Sequence, residues 1–150
     1  MPEKETLERA REDAREGKAP STQAGEFVRE EIKHIREGKH GARSTRQAIA
    51  IGLSKARRAG VKLPPPKRGT VSQETRDNAE REYESAQRGG RKSTSRKRSR
   101  ATTRALRREG QAAASTKALS KQARSAAHRR SRTSRSQAAR KAARTRAKNS

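Results

Sequence analysis

The large apolar residues of this chain are crowded into one short window. Phe27, Val28, Ile32, Ile35, Ile49, Ile51, Leu53, Val61 and Leu63 fall within 37 residues. Outside it only Leu7, Val71, Tyr83, Leu106 and Leu119 stand out in a chain of 150. A core can therefore form in one place, between Ser21 and Pro66. A unit of about 45 residues lies near the lower limit for folding alone, where burial barely offsets chain entropy. Hydrophobic residues are 27% of the chain and aromatics 1%, against roughly 45–50% apolar in a typical globular domain. One extended core is excluded.

Within the window the spacing is helical. Ser21 is placed to cap a helix running to about Glu37, with Gly38 as its stop. Ala24, Phe27, Val28, Ile32 and Ile35 share its apolar face. After the loop 38–43, Ser44 begins a second helix, and Gln47 three residues on completes a capping box. Ile49, Leu53 and Ala56 share a face there and are expected to meet Phe27, Val28, Ile32 and Ile35. Ala48 and Gly52 sit beside them as small residues that permit close approach. Gly60 ends the helix, with Val61 and Leu63 folding back over its last turn. The expected fold class is all-α: a small helical hairpin, about 21–63, with a mostly disordered, helix-prone basic tail.

The expected organisation has four parts. Residues 1–20 form a charged N-terminal helix, solvated and marginal, with Leu7, Ala10 and Ala14 as its apolar stripe and Gly17 as its stop. Residues 21–66 are the hairpin domain, closed by Pro64-Pro65-Pro66. Residues 67–90 are a linker with a helix from about Val71 to Gln87, capped by Ser72, ending at Gly89-Gly90. Residues 91–150 are a low-complexity basic tail with twenty-one Lys or Arg against one acid, Glu109. Its alanine-rich pieces, Thr116–Arg130 and Arg135–Lys148, are expected to become helical when a polyanion neutralises them, with Ser134 and Gln137 as a capping box.

Several function classes fall away. The chain has no cysteine, hence no disulfide framework and no thiolate metal site. No apolar run approaches the length of a membrane span. Met1–Glu16 is charged throughout, unlike a secretory signal. A lipid-surface helix would want Trp, Phe or Leu where this tail offers Ala, so no membrane is expected as a partner. There is no phosphate loop, no nucleophile elbow and no core able to enclose a pocket, so neither an enzyme nor a small-molecule substrate is expected. His34 shares a helix face with Glu30 and Glu31, with His40 and Glu37 nearby. Those carboxylates are more simply partners for Arg29, Lys33 and Arg36, so no metal and no cofactor are expected.

The string Gln47-Ala48-Ile49-Ala50-Ile51-Gly52-Leu53-Ser54-Lys55-Ala56-Arg57-Arg58-Ala59-Gly60, with Glu37-Gly38-Lys39 upstream, resembles the signature of a poorly characterised domain family of short, strongly basic bacterial proteins. The likeness covers roughly Val28 to Leu63. It implies a bacterial origin and a DNA-binding context, with no reaction and no established site residues. The tail is similar in composition to those of histone H1-like bacterial proteins.

Twenty unbalanced cations on a tail without aromatics imply counterion release from phosphate as the driving force. Around the second helix, Arg43, Arg46, Lys55, Arg57, Arg58 and Lys62 are expected to face phosphate. In the tail the expected contacts are Arg96, Lys97, Arg98, Arg100, Arg104, Arg107, Arg108, Arg129, Arg130, Arg132, Arg135, Arg140, Lys141, Arg144, Arg146 and Lys148. Only Gln47 and Ser44 are placed to read base edges. The expected function is sequence-non-specific DNA binding of the histone H1-like or nucleoid-associated type, in the cytoplasm and on the nucleoid. DNA is favoured over RNA because stacking platforms for single strands are absent. An RNA-binding or ribosome-associated role is the alternative, and residues 3–37 offer a face for a protein partner.

Overall fold

The computed structural model describes residues 2–89 and 95–149. Its elements are α1 (Lys4–Arg15), α2 (Pro20–Arg36), α3 (Thr45–Arg58), α4 (Gln73–Gln87), α5 (Arg96–Arg107), a single 3-10 turn (Ala112–Ala114), α6 (Thr116–Arg129) and α7 (Arg132–Lys148). The described residues form no strand, only an isolated bridge between Arg68 and Val71. The class is all-α, as expected. The chain divides into two compact units, Met1–Ser115 and Thr116–Ser150.

Local signals set the helix ends of the first unit. Gly17, Gly38 and Gly60 all take positive φ, and the N–H of the next residue reaches back across the last turn each time. Lys18 donates to Asp13, Lys39 to His34 and Val61 to Ala56. These are three Schellman closures, which only glycine enters without strain. Ser44 Oγ accepts from the Gln47 amide at 3.1 Å, and Gln47 Oε1 accepts from the Arg43 amide at 2.7 Å. Helix α2 departs from expectation at its start. Pro20 occupies the first turn after Ala19, where its missing N–H costs nothing, so Ser21 lies inside the helix and is not its cap.

Helices α2 and α3 pack as the expected hairpin, with Ala56 buried and Leu53 packed against the core, but the closest contact shifts to the small residues beside them. The buried residues of α3 are Thr45, Ala48, Gly52, Ala56 and Arg57, while Ile49, Ile51 and Leu53 are only half-buried. The reason is close approach. A Cβ on Gly52 would lie 2.6 Å from the Val28 Cα, so the backbones meet where the side chains are smallest. Phe27, Ile32, Ile35 and Val61 are the large buried apolar residues of this core.

The hairpin is braced on several sides. Helix α1 docks on α2, adding Ala10 to the cluster of Ala24, Phe27, Ala56 and Val61, with Leu7 packed against it. Arg9 Nε donates to Glu26 Oε2 at 2.8 Å across that contact. Helix α4, capped by Ser72 through the Thr75 amide, packs on α3 with Ala79 buried. Ser54 Oγ donates to Glu82 Oε1 at 2.5 Å between them.

The expectation of a mostly disordered tail is overturned. Residues 96–107, 116–129 and 132–148 are helical, consistent with the alanine content of α6 and α7 and the Ser131 cap of α7. The stretch from Ser95 to Ser115 belongs to the first unit, although charge alone assigned it to the tail. It docks through backbone groups. The Gly41 amide donates to the Leu106 carbonyl at 2.8 Å, and that of Ala42 to the Gly110 carbonyl at 3.1 Å. Thr45 Oγ1 donates to the Ala113 carbonyl at 2.7 Å, and Arg36 Nε to that of Ala114 at 2.9 Å. Ala113 and Ala114 are buried as a result. In the second unit neither α6 nor α7 buries any residue. The cap of α7 is Ser131, accepting from the Ser134 amide at 3.1 Å, so Ser134 sits in the first turn and is not the cap. Of the Gly89-Gly90 junction only Gly89 lies within the described residues.

Candidate nucleic-acid interface

The cations sort by destination. Around α3, Arg43, Arg46, Arg58 and Lys62 are exposed. Lys55 and Arg57 are not available in the way the sequence suggests. Lys55 Nζ turns inward onto the buried carboxylate of Glu31. Arg57 is 5% exposed. Its Nε donates to the Leu63 carbonyl at 3.2 Å and its Nη2 to that of Pro64 at 3.3 Å. Burial lowers the Arg57 pKa from its ordinary value. The side chain works as a clamp on the proline exit from α3. Gln47 and Ser44, the residues placed to read bases, are taken up by the start of α3.

Every Lys and Arg of α5, α6 and α7 is exposed. On α5, Arg96, Arg100, Arg104 and Arg107 follow helical spacing and form one stripe, about 16 Å long at 1.5 Å per residue. Helix α6 carries a second stripe, Lys117, Lys121, Arg124 and His128, at i, i+4, i+7 and i+11. Lys117, Lys121 and Arg124 line a shallow hollow with Thr116 and Ser120. The sequence reading passed over these three because they stand singly among Ala and Ser, and only the helical register aligns them. On α7 the cations Arg132, Arg135, Arg140, Lys141, Arg144, Arg146 and Lys148 are spread around the helix.

These helices are charged against their own dipoles. The first turns of α5, α6 and α7 contain no acid, and α5 opens on Arg96-Lys97-Arg98. A cation at the positive pole of a helix costs roughly 0.3–1 kcal/mol. An anion at the same place reverses the sign of that contribution. Residues 116–150 contain twelve Lys or Arg and no Asp or Glu.

Acidic residues are confined to the first unit, and they pair differently from expectation. Glu31 is held by Lys55, with His40 Nε2 at 3.1 Å from its Oε2. Glu30 accepts from the Glu3 amide at 2.6 Å. Glu37 pairs with Lys39 at 3.4 Å. Arg36 goes to the Ala114 carbonyl, and Lys33 reaches Glu3 at 4.0 Å. The hydrogen bond from His34 is the chief reason the Glu3 carboxyl titrates below its ordinary value. The predicted partnership of Glu30, Glu31 and Glu37 with Arg29, Lys33 and Arg36 is not formed, because the hairpin brings sequence-distant groups closer.

Residues 8–68 match a family described as a family of unknown function, DUF6496. The match runs through most of α1, then α2, α3 and the proline exit, and ends before α4. It is wider than the resemblance read from the sequence, and it takes in the helix that docks on the hairpin. No curated protein and no solved structure matches. Over its helical core the chain is similar to an uncharacterised family. Helices α4 to α7 lie outside that likeness.

Proposed function

We propose that this protein is a non-enzymatic, sequence-non-specific DNA-binding protein of the histone H1-like or nucleoid-associated type. The observation that carries the reading is the second unit, with twelve Lys or Arg, no acid and no buried residue in either helix. Its Lys and Arg side chains are exposed, and release of counterions from phosphate would supply the free energy of binding. The stripe on α5 and the exposed Arg43, Arg46, Arg58 and Lys62 extend the cationic surface within the first unit. Contact with phosphates alone carries no base sequence information. These stripes carry no Phe, Tyr or Trp, which favours a duplex over stacked single strands.

The test is the salt dependence of binding to a mixed-sequence duplex. Neutralisation of on the order of ten phosphates gives a slope of log K against log salt of about −9. A slope shallower than about −3 would mean that few of these cations touch phosphate, and the reading fails. Equal or tighter binding to single-stranded RNA under the same conditions would transfer the function to RNA.

A further inference from the structure

A polar cluster lies apart from the cationic faces, where the start of α1, the second half of α2 and the loop 38–43 come together. Glu31 is wholly buried. Lys55 holds its Oε1, while its Oε2 accepts no hydrogen bond. His40 Nε2 stands 3.1 Å from that oxygen, at ion-pair distance but outside hydrogen-bond alignment. The other ring nitrogen, Nδ1, lies 2.9 Å from the Gly41 carbonyl. A carbonyl can only accept, so Nδ1 carries a proton. In the neutral ring, Nε2 then carries a free lone pair and has no proton to offer the Glu31 oxygen 3.1 Å away. Glu30 Oε2, next to Glu31 in sequence, is also buried without a partner.

We propose that Glu31, His34 and His40 form a binding site for one divalent metal ion of the zinc type. Donor atoms of Glu31, His34 and His40 lie within 4.8 Å of one another. Ligand atoms around a tetrahedral zinc, with bonds of about 2.0–2.1 Å, stand about 3.3 Å apart. The 3.1 Å between His40 Nε2 and Glu31 Oε2 already has that span. Glu3 Oε1 is 2.9 Å from His34 Nε2, and its donor atom groups with those of Glu30 and His34 beside the site. The outer contacts suit the role. A ligating histidine commonly donates its second N–H to a backbone carbonyl, as His40 does to Gly41. Lys55 on Oε1 leaves Glu31 to bind through Oε2 alone. Two imidazoles and a carboxylate without thiolate favour zinc, nickel or copper over calcium or magnesium.

The site also answers a need of the fold. Its ligands come from α2 and from the loop after it, over a core with few large apolar residues. Small scaffolds of this kind gain most from a metal staple, because binding energy becomes folding energy.

The full-length protein, freed of metal by chelation, is titrated with zinc chloride by calorimetry, and separately with cobalt(II) by visible absorption. One saturable zinc per chain is expected. The thermal midpoint should rise with zinc concentration, and tetrahedral cobalt bands should be displaced by zinc. His34→Ala and His40→Ala should each weaken binding by roughly tenfold or more, while His128→Ala, on α6, should leave it unchanged. The wild-type measurement stands even if a variant fails to fold. No saturable heat and no cobalt spectrum would overturn the site and leave Glu31 and a protonated His40 as a plain ion pair. Binding that His128→Ala abolishes would overturn it as well. None of these outcomes bears on the proposed DNA binding, which uses other residues.

Discussion

Gly52 and Gly25 are both glycines within helices, yet their surroundings give them opposite roles. A Cβ on Gly52 would meet the Val28 backbone, and one on Gly25 would meet nothing within 4 Å. Gly52→Ala should push α2 and α3 apart and cost about 1–3 kcal/mol. Gly25→Ala should stabilise by about 0.5–1 kcal/mol, because the more restricted alanine gives up less entropy in a helix. Urea unfolding of the two variants checks both, and equal stability of Gly52→Ala and wild type would contradict the close approach. Arg57 and Arg58 make a similar pair from adjacent positions. Arg57→Ala should lose about 1–3 kcal/mol, since the Leu63 and Pro64 carbonyls lose their donor. Its salt slope on DNA should be unchanged. Arg58→Ala should be neutral in stability and lower the magnitude of the slope by at most about 1. A reversal of these two phenotypes would place Arg57 back on the DNA surface.

Helix α5 and the turn after it show how an element with few apolar side chains can still be anchored. The docking runs through carbonyls, and Gly41 is its hinge of contact. A Cβ there would lie 2.0 Å from the Glu109 carbonyl oxygen. Gly41→Ala should therefore release the 105–115 stretch from the hairpin. Amide exchange over residues 96–115 should accelerate, while α2 and α3 retain their protection. Unchanged exchange in that stretch would show that the docking does not depend on this contact. Sequence reasoning finds helices well here because capping and glycine stops are local. It assigned the docked stretch to the tail because apolar periodicity is blind to hydrogen bonds between backbone groups.

The two units separate folding from charge. The first holds every acidic residue and the buried apolar core, while the second holds cations and buries none of its helical residues. Deleting residues 116–150 should leave the cooperative melting of the first unit in place. Affinity for duplex DNA should fall, and the salt slope of about −9 should lose roughly half or more of its magnitude with the twelve missing cations. Calorimetric melting and a salt titration of the truncated protein would test this. Full affinity without the second unit would make α5 and α3 the principal DNA surface.

The all-α class, the α2–α3 hairpin, its glycine closures and the cationic end of the chain are written in the residue order. Each depends on neighbours within a few positions or on composition alone. The closest contact of α3 depended on which pair of helix surfaces could come nearest, and Ala48 and Gly52 won over Ile49 and Leu53 because small residues admit the Val28 backbone. The fates of Lys55 and Arg57 depended on what lay within reach of a long side chain after packing. Lys55 found Glu31, 24 positions away, and Arg57 found two carbonyls at the proline exit. The convergence of Glu31, His34 and His40 has the same origin. Helix α2 and the loop after it carry those groups, and the chain reversal at the hairpin brings their donor atoms together.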